Sequence, residues 1–245
     1  MENRSSPSIF WDRGYIRQAQ RPLNCLMFII LPLALYQTFA LRYGTQLLAP
    51  IDLARLLAYF GAGASAALLP PALIVVVLLV QHLFQSSKWT FQPSVLLGML
   101  GESFAWVPPM LALSHFTSQP MTATTSAAAP SQFARQALQG LGAGIYEEFL
   151  FRLVLAGLIV FVLADLLEFR RDISAVVAIF AQAVLFSLYH LSHAEVTGAA
   201  AFPWSLFVFR MLAGAYLGAL YILRGYGITV GTHAVWNLYV AWISA

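Results

Sequence analysis

The chain has 245 residues, of which 13 are Lys or Arg and 10 are Asp or Glu, so charged residues make up only 9%, against roughly 25% in a typical soluble domain. With 60% hydrophobic residues and a mean hydropathy of +0.76, the composition excludes a soluble enzyme and a disordered chain, and a net charge of +3 is too small for a phosphate-tracking nucleic-acid binder. One cysteine, Cys25, excludes an internal disulfide and every thiolate-rich zinc or iron–sulfur site. What remains is an all-α polytopic membrane protein.

A polar segment, 1–22, opens the chain with Arg4, Arg13, Arg17 and Arg21. An apolar run over 23–40 reads as a first transmembrane helix rather than a cleaved signal peptide. The run 53–84 is too long for one upright span, and Pro70-Pro71 inside it predicts a lead-in segment and then a span kinked near the prolines. A third span is expected over 94–115, closing an N-terminal transmembrane region of 23–116. Residues 117–132 (TSQPMTATTSAAAPSQ) form an uncharged Ser/Thr/Ala/Pro linker. The transmembrane core, 133–245, holds a long helix over 133–167 and further spans over 173–191, 202–223 and 228–244. The total is about seven spans, within bounds of six to eight set by about 20 residues per crossing.

The positive-inside rule tests this count. With the N-terminus inside, Arg4, Arg13, Arg17, Arg21, Lys88, Arg170, Arg171 and Arg224 fall on the cytoplasmic side, and Arg42, Arg55 and Arg135 fall outside. The bias predicts a multi-pass protein of the cell (inner) membrane with a cytoplasmic N-terminus.

A charge at the bilayer centre costs about 2.5–3.5 kcal/mol on insertion scales, so ionisable residues within spans point to function. They are few: Glu102, then Glu147, Glu148 and Arg152, then His190, Arg210 and His233, with Asn237 beside the last. Glu148 and Arg152, four residues apart, share a helix face and can pair. Glu147 is turned about 100° away and stays free. Phe186 and His190 are also four apart, as are His233 and Asn237. If these faces converge, Glu147 and His190 can bind and polarise a water, and His233 and Asn237 can donate N–H groups to a developing oxyanion. Such a set suits water attack on an amide carbonyl.

The ordered motifs Glu147-Glu148-x-x-x-Arg152, Phe186-x-x-x-His190 and His233-x-x-x-Asn237 resemble those of the CAAX-protease and bacteriocin-processing (CPBP, or Abi) family of intramembrane proteases. The resemblance covers roughly 133–245. It implies a glutamate-dependent intramembrane endopeptidase acting on membrane-associated polypeptides, either prenylated CAAX-type or leader-bearing. By that resemblance Glu147 and His190 activate water, His233 and Asn237 stabilise the oxyanion, and Glu148 and Arg152 support them. Leu153 stands where family members often carry Gly after the arginine. No cofactor is expected; the alternative is zinc held by Glu147, His190 and His233. The competing reading of the same cluster is a non-catalytic scaffold or a proton-linked transporter. Nothing in the sequence sets the oligomeric state.

Three further expectations complete the reading. Glu102 and Arg210 pair across spans three and six. Gly140-x-x-x-Gly144 and Gly214-x-x-x-Gly218 mark close helix packing. Trp106, Trp204 and Trp236 face lipid or the interface, and His193 and Glu195 sit in a loop at the bilayer edge.

Overall fold

The computed structural model describes residues 13–43, 68–85, 88–90, 92–117 and 130–244. Every regular element among them is helical. In chain order they are α1 (Arg13–Ala19), α2 (Pro22–Tyr43), α3 (Leu69–Phe84), α4 (Pro93–Ala105), α5 (Pro108–Phe116) and α6 (Pro130–Glu148). Helix α6 runs on as a π-helix, Phe149–Ala156, then an α-turn, Gly157–Val160, and a second π stretch, Phe161–Leu166. Then follow α7 (Arg171–Tyr189), α8 (His193–Val196), α9 (Trp204–Arg224) and α10 (Tyr226–Ile243).

Five segments are long and apolar enough to cross a membrane: Pro22–Arg42, Pro93–Phe116, Phe133–Leu166, Arg171–Tyr189 and Trp204–Arg224. Large apolar side chains such as Leu31, Val76, Leu97 and Phe180 stand exposed on them and on α3, the surface a lipid solvent accepts. The chain is therefore an integral membrane protein. The other two expected spans are helical as well. Helix α3 is short, at 16 residues. Helix α10 carries the polar Thr229, Thr232, His233 and Asn237 and lies at the centre of the bundle, packed by α2, α4, α6 and α9.

Prolines set several helix starts. Pro70 and Pro71 occupy the first turn of α3, where a missing N–H costs nothing, so the helix begins at the pair instead of kinking there. Pro108-Pro109 restarts the third span as α5 after a break at Trp106 and Val107. The Arg4 position and most of the linker, 118–129, lie outside the described residues. The linker's last residues belong to α6, which starts at Pro130. Part of the polar N-terminal segment folds as α1 and docks through buried Tyr15 and Ala19.

Both glycine pairs do what their spacing predicts. A Cβ on Gly140 would lie 2.7 Å from Asn237 Cβ, and one on Gly144 would lie 3.0 Å from the Ala234 nitrogen, so α6 and α10 touch along their backbones. Gly214 faces Ala183 and Phe186, and Gly218 faces Gln182, which brings α9 against α7.

The arrangement along the long helix positions the site. Helix α10 runs antiparallel beside α6, with Asn237 at Gly140 and Ala234 at Gly144. Helix α7 runs antiparallel beside the π continuation: Arg171 pairs with Asp165 at one end, and Tyr189 packs on Phe151 at the other. The two neighbours thus cover successive halves of one rod. The last turn of α7 and the middle of α10 meet at the same level, at Glu147 and Glu148. Straight spans of equal length would place His190 and His233 at different depths; this stagger removes that difficulty.

Candidate active site

Glu147 and Glu148 end the α-helical part of α6, and the π-helix begins with the next residue. Runs of π geometry are uncommon and recur at functional sites. Glu148 points into the bundle and is fully buried, as is Arg152. Its Oε2 lies 3.0 Å from Arg152 Nε, an ion pair without the alignment of a full hydrogen bond. Its Oε1 accepts from His233 Nδ1 at 2.7 Å. Arg152 also donates Nη2 to the Gly214 carbonyl at 3.3 Å and lies over the Phe186 ring at 4.7 Å. The expected Glu148–Arg152 pair is therefore present, and its carboxylate holds a histidine in place.

His190 follows the last residue of α7. The final carbonyls of a helix have no partner within it, and one of them, Phe186 O, accepts from His190 Nδ1 at 2.7 Å. The four-residue spacing of Phe186 and His190 is what brings this carbonyl under the ring. The Phe186 ring also packs on His190, at 4.6 Å between centroids, and on His233, at 6.3 Å.

Both imidazoles are assigned the same tautomer by their partners. A carbonyl and a carboxylate only accept, so each Nδ1 carries a proton and each Nε2 is left to face the other way. That way is toward Glu147. His190 Nε2 stands 3.6 Å from Glu147 Oε1, and His233 Nε2 stands 3.9 Å from Glu147 Oε2. These separations exceed a direct hydrogen bond, and a water lying beside the pair in the cavity can bond to both.

Glu147, His190, His233 and Asn237 line one cavity of about 220 Å³ with Phe186. The convergence expected from spacing is therefore present. Asn237 reaches it in part only: its Nδ2 donates one hydrogen to the Gly140 carbonyl at 2.9 Å, which leaves its second N–H for another acceptor. Among the described residues, no group of three or more His, Cys, Asp or Glu side chains is arranged to hold a metal ion. His193 and Glu195 lie outside the site. They belong to the short exposed helix α8, where Ser192 and Glu195 cap one another reciprocally.

Two expectations fail here. Arg210 does not pair with Glu102: it lines the site cavity and donates Nη1 to the His190 carbonyl at 3.2 Å. The partner of Glu102 is Arg224, assigned from sequence to a cytoplasmic turn but buried at the end of α9. The two arginines are fourteen residues apart on one helix, about 21 Å along its axis. Helix α4, which carries Glu102, lies beside the start of α10, where Gly227 meets Met99 and Gly231 meets Ser103. Glu102 can reach only the α9 terminus nearest that start. The tryptophans differ as well: Trp204 is exposed, but Trp236 is buried against the site and Trp106 donates to Glu102 at 2.9 Å.

Arg210 is the cavity residue that sequence reading placed elsewhere, in a pair with Glu102. A signal for it exists. Arg210, Gly214 and Gly218 follow one another at four-residue intervals, so the packing face marked by the glycines runs back onto Arg210 and toward α7.

Residues 129–239 match the model of the family described as Type II CAAX prenyl endopeptidase Rce1-like. The matched segment holds all three motifs and ends just past Asn237. No curated protein and no solved structure matches the chain.

Proposed function

We propose that this chain, a member of the type II CAAX prenyl endopeptidase family through its residues 129–239, hydrolyses peptide bonds of membrane-associated polypeptides with a water activated by Glu147 and His190. The observation that carries the reading is the orientation of three groups. Both histidines have Nδ1 tied to a fixed acceptor, and both turn Nε2 toward the one carboxylate, Glu147, that faces the cavity.

The steps follow from these roles. A water held between Glu147 and His190 Nε2 loses a proton to Glu147 as its oxygen bonds to the scissile carbonyl carbon. The carbonyl oxygen becomes negative and is met by the free N–H of Asn237 and by His233, whose Nε2 takes a proton from solvent in the reactive state while its Nδ1–H stays on Glu148. The tetrahedral intermediate then collapses: the C–N bond breaks, and the proton held by Glu147 passes to the leaving amine. Arg152 and Phe186 keep Glu148 and the rings in register. Substrates are polypeptides held at the bilayer, prenylated CAAX-type or leader-bearing, and the protein sits in the cell membrane with its N-terminus in the cytoplasm. The chemistry runs without a metal, so cleavage persists after exhaustive chelation; loss of activity restored by zinc would transfer Glu147, His190 and His233 to a metal-ligand role.

The decisive test is Glu147→Gln in purified protein with a prenylated CAAX peptide. Cleavage drops by about 10²–10⁴-fold, the usual contribution of a positioned acid–base group, while thermal stability stays within experimental error of wild type. Undiminished cleavage by this variant overturns the mechanism.

A further inference from the structure

We propose that a groove between α6 and α10 is a second binding site for the polypeptide substrate, taking about three uncharged residues in extended form on one side of the scissile bond. The proposal rests on the peptidase reading above and narrows its substrate class.

A cavity of about 360 Å³ lies between these helices, lined by Gln136, Gln139 and Ala143 of α6 and by Asn237, Ala241 and Ser244 of α10. It is distinct from the cavity that holds Glu147, but the two share Ala143 and Asn237. Asn237 stands on the boundary, with one N–H on the Gly140 carbonyl. The groove leads away from Glu147. Asn237 meets Gly140 and Ala234 meets Gly144 on antiparallel helices, so Gln136 and Ser244 both lie on the far side of that boundary. Ala143 and Gln136 are seven residues apart, about 10 Å along the helix axis and the length of about three extended residues. A chain whose scissile carbonyl is met by Asn237 leaves the reacting groups in two directions, and the groove receives it in one of them.

The lining says what the groove accepts. Its polar groups are amides and a hydroxyl, and no charged side chain lines it. Gln136 Oε1 has no hydrogen-bond partner among the described residues, so this amide oxygen is not committed to the bundle. Side-chain amides donate and accept, as a peptide backbone does. A lipid phosphate would call for a cation, and an acyl chain would leave the amides unpaired. Ala143 and Ala241 are small, which lets an extended backbone approach the two helices. A charged side chain entering here loses water and finds no counter-ion, so charge in the bound residues is selected against.

The test is disulfide trapping. Cys25, the chain's one natural cysteine, is buried, so Gln136→Cys adds one thiol at the far end of the groove. It is made in purified Glu147→Gln protein, which leaves the substrate uncut. The probes are copies of the prenylated CAAX peptide that wild type cuts, each with one cysteine activated as a mixed disulfide with thiopyridine, moved residue by residue. Trapping is expected about three residues from the scissile bond, on one side only, and about 10-fold or more faster than at the same distance on the other side. Equal trapping on both sides overturns the proposal, as does trapping that phospholipid suppresses and excess unlabelled peptide does not. A second measurement uses activity. Wild type loses about 10-fold in kcat/KM when Asp or Lys replaces Ala at the position about three residues away. Gln136→Lys then shifts the ratio of the two charged peptides toward Asp, and Gln136→Glu shifts it toward Lys. A ratio that neither variant moves overturns the proposal even if the cysteine variant does not fold. Wild type that cuts none of the peptides strikes the peptidase reading itself; wild type that cuts them without one-sided trapping strikes the groove alone.

Discussion

Glu102 and Glu147 are both carboxylates set among apolar helices, each near an arginine, and the bundle treats them in opposite ways. Every direction around Glu102 is closed. Its Oε1 accepts from Trp106 Nε1 and Arg224 Nε, and its Oε2 accepts from Tyr15 at 3.0 Å and Arg224 Nη2 at 2.7 Å. These bonds tie α1, α4 and the end of α9 into one joint, with the cation at a helix C-terminus, where the helix dipole favours it. Burial, then the adjacent carboxylate, push the Tyr15 phenol up, so it stays a donor at any ordinary pH. Glu147 is left open: its closest basic neighbours stand 3.6 and 3.9 Å away, and its side chain keeps 18% exposure. A carboxylate saturated with donors has no lone pair to spare and can only hold structure. One left unsaturated beside a cavity can take a proton.

This contrast can be broken by exchanging the consequences of mutation. The largest effect belongs to the open site, where Glu147→Gln removes cleavage by about 10²–10⁴-fold with little change in Tm. Glu102→Gln should do the reverse. It strands Arg224 and costs about 3–5 kcal/mol of stability, as expected for a broken buried pair, yet the folded fraction retains wild-type kcat. A Glu102→Gln protein that is stable but inactive would erase the distinction. Glu148→Gln belongs to both classes, since Glu148 is buried and paired with an arginine like Glu102 but also holds His233. It loses a similar amount of stability and also activity, read by denaturation and by kcat on the folded fraction.

Smaller changes sharpen the picture. Tyr15→Phe deletes one donor to Glu102 and should cost about 1–3 kcal/mol with kcat unchanged. The smallest effect is one of pH, at α8. Hydrogen bonds from the Ser192 N–H and then its hydroxyl hold the Glu195 carboxyl below its ordinary range. A depressed folded value means the cap is fully effective above the ordinary carboxylate range and is lost as pH falls through the depressed value. Amide protection in 193–196, taken relative to the intrinsic exchange rate at each pH, should therefore fall in acid and stay constant near neutrality. In Ser192→Ala the protection is low throughout.

The sequence was most readable where polarity is scarce. Apolar runs give the helices, and Glu147, Glu148, Arg152, His190 and His233, with Asn237 beside the last, stand out because few other residues in the spans are ionisable. The four-residue spacings carry real geometry: Glu148 meets Arg152, and the Phe186 carbonyl meets His190. Pairings between helices were not readable. Hydropathy offers Glu102 a choice of arginines, and only the lengthwise placement of α4 beside α10 selects Arg224 over Arg210. The π segment was equally hidden, since FLFRLVLA reads as an ordinary apolar helix. The break before α5 had a visible mark in Pro108-Pro109, which the apolar run masked.

The stagger of α7 and α10 along the long rod has a consequence for solvent. Helix α7 stops at His190, level with Glu147, while α6 and α10 pack on past that level. The reacting groups stand where the wall formed by α7 ends. The cavity that Glu147 and His190 line lies at the level where α7 finishes. Extending α7 by one more turn would fill that space with backbone and seal the carboxylate from water without altering any of the residues that perform the reaction.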